Sequence, residues 1–225
     1  MTLRARLHTG LWAVGVRHSH FLVLRRPPGE APPGHPAEAP PAGDLADPGR
    51  DAAIILALND GVGRRLSAAT VATRLDRGLR YCALFEEGRA VATTWILPAG
   101  ERFLEELGAG FPVPHDGLWL RDVWVPPAER GKGRFARLLD AVRRRWPDRP
   151  ALWSDVRHGN ARSLRAHLAY GFEAGGRYEA VHIFARVLLR LRWSGSVPAA
   201  SDWSRGRRVC LTGEGYRRFA AARRA

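Results

Sequence analysis

The chain has 225 residues, of which 45% are hydrophobic and eight are Trp, and this suffices to bury the core of one ordinary domain. No apolar run approaches the ~20 residues of a membrane-spanning helix, and Cys82 and Cys210 lie far apart without the spacing of a zinc site. We therefore expect a soluble protein in the reducing cytoplasm, with no metal site and no disulfide framework.

The net charge is strongly positive. It amounts to +14 and is carried almost entirely by arginine, since Lys132 is the only lysine. From Arg186 onward ten arginines stand against Asp202 and Glu214 alone. A field of this sign attracts anionic partners, whether nucleic acid, anionic lipid, nucleotide sugar or acidic polymer, and does not by itself say which. For the tail, the candidate partners are nucleic acid and an anionic membrane surface.

The first twenty residues combine early arginines with an apolar patch that charged residues interrupt, and no small-residue cleavage site follows. This is not the pattern of a secretory signal. Apolar residues do recur at helical spacing, at Leu3, Leu7, Leu11 and Val14. We expect a short basic amphipathic helix that lies on the domain or on a membrane, so a peripheral membrane location is the alternative to a cytoplasmic one.

A proline-rich stretch divides the chain near its beginning. The segment "HFLVLRR" predicts a first strand, and eight prolines follow between Pro27 and Pro48, where neither a core nor a ladder can form. We predict four parts: an N-terminal basic segment with the first strand (1–26), a flexible insert (27–50), the core (51–192) and a basic tail (193–225).

The core begins with helical patterns and a hairpin. Two helices are predicted in "DAAIILALND" and "SAATVATRLDRG", the second with Ser67 as N-cap and Gly78 at its close. Two apolar runs, "RYCALFEEG" and "RAVATTWILP", are joined at Glu86, Glu87 and Gly88 and predict a β-hairpin.

Strands and helices then alternate. The strand "GLWLRDVWV" ends at Pro126 and Pro127, which have no N–H, and an amphipathic helix begins near Arg134. "ALWSDV" predicts a buried strand, "NARSLRAHLAY" a helix with Asn160 as N-cap, and the segment from 171 to 193 one or two more strands. This order predicts an α/β fold with a mixed sheet.

The turn "ERGKGRF" lies between that strand and that helix. A glycine turn that opens a helix leaves several N–H groups pointing one way, and such a site binds anions. The bare pattern Arg-x-x-Gly-x-Gly/Ala is weak, since "RPPGEA" also satisfies it, and at the Arg130 site Phe135 occupies the last position. The strand before and the helix after nevertheless favour a phosphorylated cofactor there.

These residues resemble the GNAT superfamily of acetyl-CoA-dependent N-acetyltransferases. "LRDVWVPPAERGKGRFARLL" is similar to the fourth strand, pyrophosphate loop and third helix of that family, and "NARSLRAHLAYGF" to its second signature block. Upstream, the chain is loosely similar to members that travel with cell-envelope polysaccharide genes. The resemblance covers about 67–184 and implies a mostly antiparallel sheet, flanked by helices, whose fourth and fifth strands splay apart.

The resemblance also implies a cofactor site for acetyl-CoA. The N–H groups from Gly131 to Phe135 would hold the pyrophosphate, with charge from Arg130 and Lys132. The strand edge would pair with the pantetheine and polarise the thioester carbonyl, and Asn160 would contact the cofactor arm. The full predicted set is Val123, Val125, Arg130, Gly131, Lys132, Gly133, Arg134, Phe135, Asn160 and Ser163.

The catalytic groups are less clearly marked. The family commonly has a Tyr at the position of His167 to protonate the leaving thiolate, so His167 and Tyr170 are the candidate acids here. The amine must lose a proton before it attacks, and Asp122 or Asp155 is the nearest acidic candidate. Asn160 as a simple N-cap and His167 as a surface histidine are the structural alternatives.

The predicted reaction is direct transfer of an acetyl group from acetyl-CoA to a primary amine in a ternary complex. The positive charge favours an acceptor amine on an anionic small molecule, such as a nucleotide-linked amino sugar, over a polycation. Two alternatives remain open. The first is that the chain is a nucleic-acid-binding protein that uses its Arg-rich tail. The second is that it is a GNAT fold that binds an acyl-CoA without turnover.

Overall fold

The computed structural model describes residues 16–29, 44–104, 109–183 and 186–194. Within these ranges the chain forms four helices: α1 (Ala52–Gly61), α2 (Ala68–Asp76), α3 (Arg134–Arg145) and α4 (Ala161–Ala169). The strands of the same ranges are β1 (Val16–Arg26), β2 (Leu45–Ala46), β3 (Arg80–Glu86), β4 (Arg89–Leu97), β5 (Glu101–Leu104), β6 (Ala109–Pro112), β7 (Gly117–Trp124), β8 (Ala151–Arg157), β9 (Glu173–Ile183) and β10 (Arg186–Ser194).

Eight of these strands form one sheet in the order β10-β9-β1-β8-β7-β4-β3-β2. Only β7 and β8 pair in parallel, and every other neighbouring pair is antiparallel. The β5–β6 hairpin stands apart from this sheet. The predicted mixed, mostly antiparallel α/β fold is confirmed.

Strand β1 lies in the middle of the sheet. It pairs with β8 on one side and with β9 on the other, so Phe21 is opposite both Arg157 and Tyr178. The first strand, predicted as part of the N-terminal segment 1–26, is therefore a central strand of the sheet. Pairing between residues that are more than 120 positions apart leaves no local signal in the sequence, which is why the position of this strand could not be predicted.

The end of the predicted flexible insert is also part of the sheet. Leu45 and Ala46 pair with β3, and the Asp47 carboxylate accepts a hydrogen bond of 2.5 Å from Arg80. The proline-rich residues 30–43, the predicted N-terminal helix and the tail from residue 195 lie outside the described residues.

Local sequence accounts for most element boundaries. Ser67 caps α2 by accepting from the Thr70 N–H at 3.1 Å, and Gly78 after it has φ +78°. The β3–β4 turn uses Glu87 and Gly88, both with positive φ, as a two-residue hairpin turn requires. These predicted boundaries are confirmed.

The core lies on both faces of the sheet. On one face Trp95 and Trp119 pack with Val71 of α2, and on the other Leu120 packs with Leu139 of α3. Adjacent residues of β7 thus point to opposite faces of the sheet, as strand geometry dictates. Among the described residues, no helix has the length and apolar content to cross a bilayer.

Candidate active site

Strands β7 and β8 separate partway along their length. Their parallel ladder runs from Gly117 opposite Ala151 to Leu120 opposite Ser154, and it stops there although both strands continue. Beyond that point β7 stays paired with β4, and β8 stays paired with β1. The two strands therefore open a gap between them, and the predicted splay is confirmed.

A β-bulge shapes the β7 side of this gap. Arg121 lies opposite Trp95 and Trp124 opposite Thr93, so Asp122 and Val123 together face a single residue of β4. Asp122 has φ +54°, which is uncommon for a residue with a side chain. The bulge turns neighbouring side chains of β7 out of strict alternation at the mouth of the gap.

The Asp122 carboxylate is held by two arginines. It accepts a bond of 2.5 Å from Arg74 and lies 3.0 Å from an Nη of Arg64, which also donates to the Asp122 carbonyl. Burial alone would raise the pKa of Asp122, but Arg74 and then Arg64 outweigh it and hold that pKa at about 2. Asp122, predicted as a base, thus lies at the gap as a paired carboxylate.

Helix α3 begins beside the gap without a side-chain cap. The other three helices of the described residues are capped by Asp51, Ser67 and Asn160, whereas the N-cap of α3 is Gly133, which has no side chain to accept from the first-turn N–H groups. Gly131 and Gly133 have φ of +78° and +72°, and a Cβ at either would meet nothing within 4 Å. The N–H groups of the first turn of α3, which no side-chain cap covers, therefore face the cleft in front of the loop.

The basic side chains of this loop are tied to carboxylates beneath it. Glu129, whose side chain is 5% exposed, accepts from Arg89 at 2.9 Å, from Arg134 at 3.2 Å and from Lys132 at 3.4 Å. The hydrogen bond from Arg89 contributes most to lowering the pKa of Glu129 to about 2. Arg134 also pairs with Glu86.

Glu86 binds Arg137 as well, at 3.0 Å. The cluster therefore has four cations, Arg89, Lys132, Arg134 and Arg137, against two carboxylates. It fixes the loop and still leaves an excess of positive charge for an anion. Sequence reasoning missed Glu129, although its place between the two prolines and the glycines was visible.

Two predicted cofactor contacts have partners within the protein. The Val125 carbonyl accepts from Arg130 Nε at 3.0 Å, and the Arg130 guanidinium lies 5.4 Å from the centre of the Trp124 ring. Val125 also lies one residue beyond the end of β7. Val123, in the bulge, borders the gap directly.

Helix α4 forms the wall of the cleft that faces β7 and the glycine loop. The Asn160 side chain accepts from the Ser163 N–H at 3.1 Å, so Asn160 is the N-cap and also reaches the cleft. His167 lies one helical turn after Ser163 and is only 2% exposed. The alternative that His167 is a surface histidine is therefore wrong. Phe135 from α3 meets the His167 ring edge-on at 4.9 Å, so Phe135 fills the space between the two helices.

The hydrogen bonds of His167 fix its tautomer. Nδ1 lies 2.8 Å from the Ser163 carbonyl oxygen, which can only accept, so Nδ1 carries the proton. Nε2 lies 2.9 Å from the Ser154 hydroxyl and therefore accepts from it. Burial lowers the pKa of His167, while the Ser163 carbonyl and Asp155 oppose that shift.

Tyr170 lies in the core. It is 2% exposed, and its hydroxyl donates to Asp140 on α3 at 2.6 Å. Burial, together with Asp140, raises the pKa of Tyr170. Its side chain lines neither of the two cavities beside the gap.

Two adjoining cavities lie along the gap between β7 and β8. We call the larger one, about 1000 Å³ in front of the α3 N-terminus and α4, the outer cleft, and the smaller one, about 260 Å³, the inner pocket. They share Val123, Asn160 and Ser163. The other residues of the inner pocket are Phe21, Arg102, Arg121, Asp122, Ser154, Asp155, Val156, Arg157 and His167.

The inner pocket passes from one face of the sheet to the other. Val156 and Ser154 belong to the face that α3 and α4 cover, while Asp155 points to the opposite face, where it accepts from Trp119 at 2.8 Å. Arg102 from β5 donates two bonds to Asp155, at 2.8 and 3.0 Å. The inner pocket therefore has two sides with different linings, one on each face of the sheet.

Comparison with known proteins agrees with this geometry. The model of the acetyltransferase (GNAT) family matches residues 53–172, which is just over half of the chain. The chain belongs to the GNAT acetyltransferase family. Members of this family use acetyl-CoA. No curated protein matches the sequence.

This GNAT protein is similar to several solved structures. A putative GNAT acetyltransferase from Novosphingobium aromaticivorans is 20% identical with a TM-score of 0.45, over 75% of this chain and 66% of that one. A GNAT acetyltransferase from Colwellia psychrerythraea is 12% identical with a TM-score of 0.47, over 80% and 62%. An aminoglycoside N-acetyltransferase in complex with CoA is 20% identical with a TM-score of 0.39, over 58% and 91%. The chain thus spans less than two thirds of the length of each of the first two proteins.

Proposed function

We propose that this GNAT protein transfers an acetyl group from acetyl-CoA to a primary amine by direct attack in a ternary complex. The observation that carries the proposal is the uncapped N-terminus of α3, which opens on the outer cleft beside the splayed strands. The N–H groups of residues 131–135 bind the pyrophosphate, because a helix N-terminus with no internal acceptor stabilises an anion.

The remaining contacts follow from the shape of the cleft. The pantetheine arm runs along Val123 towards the gap, between Asn160 and Ser163 on one side and β7 on the other. The carbonyl of the thioester then lies at the strand edge, where a backbone N–H stabilises the oxyanion. Arg130, Lys132 and Arg134 contribute charge while Val125 and Glu129 hold them.

We place the acceptor in the inner pocket, on the face of the sheet opposite the cofactor. Three arginines, Arg102, Arg121 and Arg157, stand there against Asp122 and Asp155. This excess of positive charge supports an acceptor whose amino group is carried on an anionic small molecule, such as a nucleotide-linked amino sugar. Such an acceptor also agrees with the loose resemblance to GNAT proteins of cell-envelope polysaccharide genes.

Two assays in sequence test this function. Acetyl-CoA at one hundred times its Kd stabilises a binding protein by about 2.7 kcal/mol, which raises Tm by several degrees. Release of free thiol from acetyl-CoA, measured with a panel of amines, then identifies turnover. Anionic amino sugars should outrun polyamines and aminoglycosides, and a panel in which polycations react fastest would overturn the acceptor class.

A non-catalytic acyl-CoA-binding protein is the second candidate, and the burial of His167 in place of the usual Tyr favours it. It predicts a thermal shift without thiol release for any amine. Binding of nucleic acid through the basic tail is a separate proposal that rests on charge alone. Deletion of the residues after Ser194 should abolish salt-dependent nucleic-acid binding and leave the acetyl-CoA shift intact.

A further inference from the structure

The splay point holds a buried serine that faces a buried histidine. Ser154 is the last β8 residue paired with β7, and it is 4% exposed. Its hydroxyl donates to His167 Nε2 at 2.9 Å, and both side chains border the inner pocket. This contact joins a strand to a helix at the place where the two cavities meet.

The neighbouring hydrogen bonds determine which member of the Ser154–His167 pair is the donor. The Ser163 carbonyl oxygen holds the proton on His167 Nδ1, so Nε2 is an acceptor and the serine hydroxyl is its donor. The serine oxygen keeps lone pairs that can accept a proton from the pocket. A proton that reaches Ser154 from the pocket can therefore pass on to the imidazole.

Building on the function proposed above, we propose that Ser154 is the group that exchanges protons with the reactants, with His167 acting through it as the proton store. As the amine nitrogen bonds to the thioester carbon, an N–H proton moves to Ser154 Oγ, and the serine proton moves to His167 Nε2. The tetrahedral intermediate then collapses, and the C–S bond breaks with its electron pair on sulfur.

The same relay then runs in reverse. The imidazolium returns its Nε2 proton to Ser154, and the serine gives its own proton to the thiolate. The products are the amide and free CoA thiol, and both protein groups are restored. Starting from the neutral amine, whose extra proton has passed to solvent, one proton has moved from nitrogen to sulfur, so the step balances without another reactant. In this scheme Ser154 takes over the contact with the leaving group that a tyrosine makes elsewhere in the family.

The surroundings of the pair suit this cycle. Phe135 and Phe172 pack edge-on against the imidazole, both at 4.9 Å, and close it off from the other side. Burial lowers the pKa of His167, so the ring is neutral and able to accept near pH 7. The charged and titratable groups that border the inner pocket beside the pair are Arg102, Arg121, Asp122, Asp155 and Arg157. Tyr170 contacts Phe135, which in turn packs on the imidazole.

The test compares kcat, measured by thiol release, across pH 5–9 for Ser154→Ala, Ser154→Thr and His167→Gln. Ser154→Ala should lower kcat about 100-fold, the scale of a lost proton-transfer group, and should remove the contribution of His167 to the acid side of the profile, leaving only the fall that protonation of the amine causes. Ser154→Thr keeps the hydroxyl and should stay within about threefold of wild type by the same reasoning. KM for acetyl-CoA should stay unchanged in all three.

A double variant separates the relay from a structural effect. Since the two residues act as a unit, Ser154→Ala combined with His167→Gln should be no slower than Ser154→Ala alone. Ser19→Ala on neighbouring β1 serves as the control for loss of a strand hydroxyl. An acetyl-CoA thermal shift for each variant verifies its fold, and the small Ser154 changes keep the test valid if His167→Gln does not fold.

Two results would overturn the relay. Unchanged kcat and pH profile in Ser154→Ala, with an active wild type, would remove the serine while the transferase function stood. Wild-type protein that binds acetyl-CoA but releases no thiol with any amine would remove the transferase function, and the relay with it.

Discussion

The ion pair at the floor of the inner pocket gives the sharpest stability prediction. Asp155 accepts two bonds from Arg102, at 2.8 and 3.0 Å, and one from Trp119 at 2.8 Å. The side chains of Arg102 and Asp155 are only 6% and 10% exposed. Asp155→Asn keeps the shape but leaves the buried guanidinium without its counter-charge, and breaking such a pair costs about 3–5 kcal/mol.

Urea unfolding followed by far-UV circular dichroism at pH 7 measures this loss, which corresponds to a fall in Tm of roughly 6–20 °C for a domain of this size. The matched control is Asp76→Asn, because the Arg50–Asp76 pair has side chains that are 70% and 74% exposed. That change should cost less than about 1 kcal/mol. Equal losses in the two variants would refute the reasoning. Asp155 does not line the outer cleft, so the Kd for acetyl-CoA should stay unchanged.

Three further predictions concern other parts of the site. Gly133→Ala, at φ +72°, should cost about 1–2 kcal/mol of stability and weaken acetyl-CoA binding in calorimetry at least tenfold; unaltered affinity would count against the loop. Tyr170→Phe removes the bond to Asp140 and should lower Tm while kcat stays within about twofold; a large loss of kcat would restore Tyr170 as the acid. The pKa of Asp122 is about 2 when folded, below its ordinary value, so its stabilisation is present above pH 4 and is lost as the pH falls towards 2. Asp122→Asn should flatten acid unfolding over that range, and an unchanged curve would contradict the pairing with Arg74.

The order of elements could be predicted because its signals are local. Ser67, Gly78 and the Glu87–Gly88 turn fix ends of α2 and of the β3–β4 hairpin through backbone geometry alone. The glycines before Arg134 likewise predict an anion site from the conformation that they allow. A helix start and a turn depend on a few adjacent residues, so the sequence contains enough information for both.

The missing parts depend on contacts between distant residues. No local pattern places β1 between β8 and β9, and none predicts the β5–β6 hairpin that brings Arg102 to the pocket. Ser154 looks like any small residue within a buried strand until His167 lies against it. The predicted role of His167 survives as a proposal, but its partner and its tautomer come only from the fold.

The most direct test of the account is a crystal structure of the protein with bound coenzyme A. We predict diphosphate oxygens at about 2.7–3.2 Å from the N–H groups of residues 131–135, with the thiol directed into the gap beside Val123 and Ser154. A diphosphate bound elsewhere at saturating coenzyme A, or an outer cleft that stays empty, would contradict the assignment of this site.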